Sequence, residues 1–475
     1  MSEAMIKYSS TRGGDSDKSF SDILLAGLAS DGGLYMPDHW PKLSAEQLKS
    51  FADKSYAEIA YEVLNPFMDE YFAGDRLKKI LDDTYGSSTR FHDKAITPLR
   101  QIDEDLWSLE LFHGPTLAFK DVALQLLGNL FDAALEGSDA RVTIVGATSG
   151  DTGSAAIQGC LNCKNVDIFI LFPDGRVSDV QRRQMTTVNA ANVHPIAIDG
   201  TFDDCQDLVK ALFNDQEFRK KQNLSAVNSI NWARIIAQSV YYFVASAELV
   251  ACQKPLNFVV PTGNFGNILA AYVAKQMGLP IEKLIVATNS NDILTRFFET
   301  GSMQKDGVKP TLSPSMDIQI SSNFERYLYE LMGRDSAKLK ALMESFADTG
   351  HFEVTKGHLA SARHLFDAHR VSDEQTLETI ARIHKEADML MDPHSAIALN
   401  AAYQTQSKTG AEGAPIVSLG CAHPAKFPDA VEKATGVHPA LPDFAKDILE
   451  KDEHMKQLPN DLMAVQNYIK EKSPR

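Results

Sequence analysis

From about residue 96 onward, short apolar segments alternate with stretches whose apolar residues recur at helical spacing, and this alternation limits the possible fold more than any other feature. The strand candidates are Arg141–Val145, Val166–Phe172, His194–Ile198, Leu256–Val260, Lys283–Thr288 and Ile416–Leu419. Each is followed by a turn and then by a helical pattern, as in Gly266-Asn-Ile-Leu-Ala-Ala-Tyr-Val-Ala-Lys-Gln-Met. Strands joined through helices run parallel, because the crossover returns the chain to the same end of the sheet. The expected class is therefore α/β, with two open, mainly parallel sheets. Such sheets bind ligands beyond the carboxyl ends of their strands, so functional residues are expected just after these segments.

The chain has 475 residues, too many for one core, and at about 150 residues per domain roughly three units are expected. Residues 1–95 read as a mostly helical N-terminal domain, broken by a turn at Asp31-Gly32-Gly33. Residues 96–335 form the α/β region, as two interleaved subdomains, and 336–475 read as mainly helical with one late strand at Ile416. Thr300–Pro314, with several Gly, Pro and Ser residues, reads as a long loop, and long loops in compact domains are often functional.

A net charge of -16 argues against nucleic acid and against an anionic membrane surface, since either partner calls for a basic stripe. A small anionic substrate is still allowed, because a local cluster of cations and amides can oppose the global charge. No apolar run is long enough to span a bilayer, and the first twenty or so residues lack the apolar core of a secretory signal. Five cysteines, an odd number, fit free thiols in a reducing compartment, so a cytoplasmic location is expected. Cys160 and Cys163 form a lone C-x-x-C late in an Ala-rich helical pattern, where they read as small helix residues rather than a redox pair. No metal-ligand spacing is present.

Three motifs follow strand candidates or apolar segments. The first, His113-Gly-Pro-Thr-Leu-Ala-Phe-Lys-Asp121, sets Lys120 after Leu117, Ala118 and Phe119. A lysine that forms a Schiff base needs a dry, fixed pocket in which its amine can be neutral; a surface lysine after an apolar segment is the plain alternative. The second is the Gly-rich turn Gly263–Asn267 between a strand and a helix. Its glycines are expected to allow positive φ and close backbone approach, and the helix start offers N–H groups to an anion. It lacks the Walker lysine and the third glycine of the dinucleotide fingerprint, so a cofactor monophosphate fits better than ATP or NAD. The third, Gly146-Ala-Thr-Ser-Gly-Asp-Thr-Gly153, is another polar helix start, suited to a carboxylate or phosphate. Asp151 is out of place there, since it repels anions, and is expected to cap the helix or orient neighbouring donors.

Thr116-Leu-Ala-Phe-Lys-Asp121 resembles the cofactor-lysine motif of the fold-type II pyridoxal-phosphate enzymes, the tryptophan synthase β-like group. The resemblance to the threonine synthase family runs through nearly the whole chain. It takes in Ser10-Thr-Arg-Gly13, Gly27-Leu-Ala-Ser-Asp-Gly-Gly-Leu-Tyr-Met-Pro37, Ala147-Thr-Ser-Gly-Asp-Thr-Gly-Ser154 and Asn228-Ser-Ile-Asn-Trp-Ala-Arg234. Gly263-Asn-Phe-Gly-Asn267, Ser313-Pro-Ser-Met-Asp-Ile-Gln-Ile-Ser-Ser-Asn-Phe-Glu-Arg326 and Ala422-His-Pro-Ala-Lys-Phe427 continue it.

That resemblance implies pyridoxal 5'-phosphate as cofactor and O-phospho-L-homoserine as substrate, converted with water into L-threonine and phosphate by elimination and hydration. It implies that Lys120 forms the Schiff base and then moves protons. Gly263, Asn264, Phe265, Gly266 and Asn267 would hold the cofactor phosphate, and Ser149, Gly150, Asp151 and Thr152 would border the substrate carboxylate. Asn228, Asn231, Arg234, Asn323 and Arg326 are its candidates for the substrate phosphate. The residue facing the pyridine nitrogen is usually threonine in the family and is Cys421 here, which puts the usual hydroxyl contact in doubt. The alternatives are a serine or threonine dehydratase and a catalytically silent ligand-binding relative. A monomer and a homodimer are equally compatible with the sequence.

Overall fold

The computed structural model describes residues 5–86, 90–137, 140–161, 163–226, 229–409 and 413–473. Asn228 lies outside them. Among the described residues, six strands form one sheet in the order Phe366–Arg370, Ile281–Thr288, Leu256–Pro261, Ile416–Gly420, Leu106–Glu110, Leu99–Asp103. All neighbours in it are parallel except the last pair. Five parallel strands form the other, in the order Lys456–Pro459, Val193–Asp199, Val166–Pro173, Val142–Ala147, Leu224–Ser225. Val166–Pro173 is buried at every position, the pattern of a strand covered on both faces.

All six strand candidates are strands, shifted by at most two residues at either end. The region after residue 335 needs correction. Besides the strand at Ile416 it contributes Phe366–Arg370 and Lys456–Pro459, one at an edge of each large sheet, and a short strand His351–Glu353. His351–Glu353 pairs with Ser302–Gln304, so the expected loop Thr300–Pro314 opens with a two-stranded ribbon. Cys160 ends the helix Asp151–Cys160, and Cys163 lies beyond it with its thiol donating to Gly128 O at 3.2 Å.

The N-terminal region is mostly helical, with Phe20–Ala26, Tyr56–Leu64 and Asp75–Tyr85 its longer helices. Ser19 with Asp22 and Ser55 with Glu58 each close a capping box, satisfying amides at the helix start. A ribbon of Tyr8–Ser10 against Tyr35–Pro37 joins this region to the rest. Arg12 makes a two-pronged pair with Glu325, at 3.0 and 2.7 Å, and Arg326 Nε donates to Tyr35 O at 3.0 Å. The helix Phe324–Leu331 is thereby clamped to the N-terminal ribbon.

Two helices set the position of the site. Lys120–Ala134 and Asp151–Cys160 pack side by side through Gly128 and Gly159. A Cβ on Gly128 would lie 1.9 Å from Gly159 O, and one on Gly159 would lie 2.3 Å from Leu124 O. Any side chain there would force the helices apart. Each glycine stands eight positions after the first residue of its helix, so Lys120 and Asp151 begin their helices next to each other. No helix among the described residues is long and apolar enough to cross a membrane.

Candidate active site

Lys120, Cys421 and the Gly263–Asn267 turn follow three neighbouring strands of the six-stranded sheet. Strand spacing of about 4.8 Å brings three such ends within about 10 Å. The loop before Lys120 is stitched to the residues after Gly420. Phe119 N–H donates to Cys421 O at 2.8 Å, His423 N–H donates to Leu117 O at 3.0 Å, and Ala118 bridges Ala422. Asp151 arrives from the other sheet, after Val142–Ala147. The site thus lies between the carboxyl ends of the two sheets.

Lys120 is buried, and its Nζ has one hydrogen-bond partner among the described residues, Asp151 Oδ2 at 3.2 Å. Burial lowers the proton affinity of the amine; Asp151 opposes this, while the charges of Arg234 and Lys426 add to it. For Asp151, burial works against ionisation, but Lys120 and Lys426 outweigh it and hold the carboxyl well below its ordinary range. Asp151 Oδ1 also accepts from Gln181 Nε2 at 2.9 Å, and Lys426 Nζ lies 3.0 Å from the same oxygen. Of the two roles expected for Asp151, it does not cap its helix, being the first helical residue, but orients neighbouring donors, Lys120, Gln181 and Lys426. Ser149, Gly150 and Thr152 surround it, with Thr148 Oγ1 accepting the amides of Gly150 and Gly153 at 3.0 and 2.8 Å.

In the turn Gly263–Asn267 the expected positive φ is not on a glycine. Phe265 carries it, at 58°, held by a ring packed against Phe324 and Tyr327. Gly263 is needed for close approach instead, since a Cβ there would lie 3.1 Å from Ser315 O and 3.3 Å from Met316 Cα. The helix Gly266–Gln276 starts here. Asn267 Oδ1 accepts from Tyr241 and Tyr242 hydroxyls, the latter at 2.7 Å, while its buried Nδ2 has no partner among the described residues.

The candidates for an anion divide into two kinds. Asn231 caps the helix Trp232–Val250 and donates to Leu24 O at 3.0 Å. Asn323 Nδ2 donates to Ser229 O and Asn264 O. Arg326, fully buried, donates to Tyr35 O, Ile230 O at 2.7 Å and Asn323 Oδ1 at 2.6 Å. These three side chains are engaged within the protein frame, and Asn323 and Arg326 brace the Gly-rich turn. Arg234 differs. It is 3 % exposed, its Nε and Nη1 have no partner among the described residues, and burial brings its pKa down to about 10. A buried guanidinium with unused donors is an anion site in waiting.

Cys421 is buried, and burial, with Asp392 adding to it, pushes its thiol well above the ordinary range. Its amide donates to Ser395 Oγ at 2.8 Å. Ser395 Oγ in turn donates to Asp392, whose other oxygen meets His394 Nδ1 at 2.9 Å. His394 Nε2 accepts from Ser315 N at 3.3 Å, and Ser315 Oγ lies 3.4 Å from Asp151 Oδ2. The long loop therefore leads, just past its end, to the same carboxylate.

Sequence reasoning missed Lys426, Gln181, Gln184, Asp392, His394 and Ser395. The lysine of Ala422–Phe427 was visible in a quoted motif without a role. Ser178 and Gln181 form a readable capping box, and Asp392 reads as a helix cap, so local patterns gave each a structural explanation only.

The orphaned donors of Arg234 and Asn267, the Gly263 cradle and the desolvated amine of Lys120 fit a phosphate-bearing aldehyde cofactor. Comparison with known proteins agrees. Residues 7–85 match the family model "Threonine synthase N terminus", 93–422 match "Pyridoxal-phosphate dependent enzyme" and 395–469 match "Threonine synthase, C-terminal". The chain is 52% identical over 471 residues to the threonine synthase of Pseudomonas aeruginosa, covering 99% of both chains. It is 45% identical to that of Schizosaccharomyces pombe, over 91% of this chain and 90% of the other. The crystal structure of pyridoxal-phosphate-bound threonine synthase from Brucella melitensis superposes with a TM-score of 0.94 at 49% identity, covering 99% of this chain and 100% of that one.

Proposed function

The chain belongs to the threonine synthase family of pyridoxal-phosphate-dependent enzymes, and on that premise we propose that it converts O-phospho-L-homoserine and water into L-threonine and phosphate. The single observation that carries the choice of substrate is Arg234, a buried cation with unused donors whose charge is felt at Lys120. An elimination of phosphate needs a second anion site beside the cofactor's, whereas a serine or threonine dehydratase does not. The match of residues 7–85 to the threonine synthase N terminus supports the same choice.

Pyridoxal phosphate, when bound, supplies the electron sink for proton removal from the substrate carbons. The protein's own groups do the rest. Lys120 binds the cofactor and then carries protons between Cα, Cβ and Cγ, a task suited to an amine whose proton affinity burial has lowered. Gly263–Asn267 would hold the cofactor phosphate through amides at the start of Gly266–Gln276, and Ser149–Thr152 would border the substrate carboxylate. Arg234 would bind the phosphate that leaves Cγ, and Cys421 would offer a neutral thiol to the ring nitrogen of the bound cofactor. Loss of phosphate breaks the Cγ–O bond; water then delivers its oxygen to Cβ, and a proton ends on Cγ. The reading also assigns residues 1–95, 96–335 and 336–475 as successive regions of one cytoplasmic enzyme.

The test is steady-state assay with O-phospho-L-homoserine, measuring phosphate and threonine together. Equal amounts of both are expected. A 2-oxo acid and ammonia from serine or threonine, with no phosphate release from the phosphorylated substrate, would make the chain a dehydratase.

A further inference from the structure

Two lysines meet one buried carboxylate, and their surroundings differ. Lys426 is fully buried, and besides Asp151 its Nζ reaches Thr116 O at 2.7 Å and Gln184 Oε1 at 2.9 Å. The orientation of the Gln184 amide is fixed by its Nε2, which donates to the same Thr116 carbonyl at 3.0 Å. The hydrogen bonds to Thr116 O and Gln184 Oε1 hold Nζ in place, so its 3.0 Å ion pair with Asp151 Oδ1 is set by the fold. Lys120 has a single acceptor among the described residues, Asp151. When Lys120 gives up its proton, Asp151 still has Lys426, Gln181 and Ser315.

We propose that Lys426 is a positioning residue, a buried counter-ion that keeps Asp151 charged and in place so that Lys120 is not locked into its own ammonium form. The inference rests on the reading of Lys120 as the cofactor lysine. It explains the acidic residue in the anion-suited motif Gly146–Gly153, because Lys426 cancels the charge of Asp151 and leaves the site free for an anion. The charged and titratable groups around the pair are of both signs. Lys120 faces Asp151, Arg234 and Lys426, with the buried thiol of Cys421 nearby, and of these only Asp151 favours its ammonium. Asp151 faces Lys120, Lys426 and His394, and Asp121 lies near Lys426. Without Lys426, Lys120 becomes the main partner of a buried carboxylate, and a buried ion pair resists losing either charge.

The measurement uses the holoenzyme. Samples brought to successively lower pH are treated with borohydride, and the cofactor fixed to the peptide containing Lys120 is quantified by mass spectrometry. Formation of the reducible bond needs the neutral amine, so the pH at which it is half lost reports how strongly the ammonium competes. Lys426→Gln should raise that midpoint by about one pH unit, a tenfold change, and Asp151→Asn should lower it. Opposite shifts are the signature, since a purely structural Lys426 would lower the melting temperature and leave the midpoint alone. An unmoved midpoint, or shifts of the same sign, would overturn the proposal. If Lys426→Gln yields no folded protein, Asp151→Asn decides, and a midpoint at or above wild type refutes. Reduced cofactor on another lysine in the wild type would instead overturn the reading of Lys120.

Discussion

Replacing Arg234 with methionine tests whether its unused donors exist for an anion. The side chain is 3 % exposed, so methionine can follow much of its path without opening the site to water. Burial brings the guanidinium's pKa down to about 10, well below its ordinary value, which corresponds to about 3 kcal/mol against the charged form. The sign is that of a depressed cation. Below pH 10 the folded chain carries a charge it holds less well than the unfolded chain does, and that penalty fades only as pH rises through 10. Arg234→Met should therefore not destabilise the ligand-free fold at neutral pH, and removal of the penalty favours a higher melting temperature. Binding should change in the opposite direction. Loss of two charge-assisted hydrogen bonds from a desolvated site costs about 3 kcal/mol, or about a hundredfold in affinity. The assays are thermal melting with and without inorganic phosphate, inhibition by a phosphonate analogue of O-phosphohomoserine, and affinity for free pyridoxal phosphate. The expected pattern is a hundredfold weaker analogue, near-normal cofactor affinity and no stabilisation by phosphate. A variant that melts lower and binds the analogue as tightly as wild type refutes the reasoning. Loss confined to pyridoxal phosphate would move Arg234 to the cofactor.

Arg326→Ala should behave in the reverse way. It removes the donors to Tyr35 O, Ile230 O and Asn323 Oδ1 and should cost at least about 3 kcal/mol of stability in urea unfolding; a stability loss under about 1 kcal/mol would contradict its bracing role. Lys120→Ala is expected to abolish both the visible absorbance of bound cofactor and turnover, and borohydride-reducible cofactor with wild-type turnover would show that another lysine serves. Cys421→Thr should keep turnover within about tenfold, a barrier change of about 1.4 kcal/mol, because a neutral thiol and a hydroxyl are both weak partners. Cys421→Asp should lose more than about a hundredfold, since a buried carboxylate there faces Asp392 as well as the ring; an active Asp variant at full cofactor occupancy would mean that residue 421 does not face the cofactor.

The sequence by itself determined the parallel α/β order and which polar motifs stand after its strands. Strands such as Val166–Pro173 are buried on both faces and read as continuous apolar runs, while Lys120, Asp151, Gly263 and Cys421 follow strands or apolar segments at short range. The strand Leu106–Glu110 carried a readable apolar run and was still absent from the candidates. Phe366–Arg370 and Lys456–Pro459 were not legible, because edge strands are short and polar and form through pairing with a neighbour already in place. The same holds for the site. Arg234 and Arg326 look alike in sequence, each an arginine beside an apolar helical stretch. Arg326 is engaged by Tyr35, 291 positions away, and by Ile230, whereas Arg234 meets no such oxygen among the described residues. Lys426 reaches Thr116 across 310 positions. Which buried charge is neutralised, and which is left for a ligand, depends on acceptors that folding brings from distant parts of the chain, and local pattern carries no record of them.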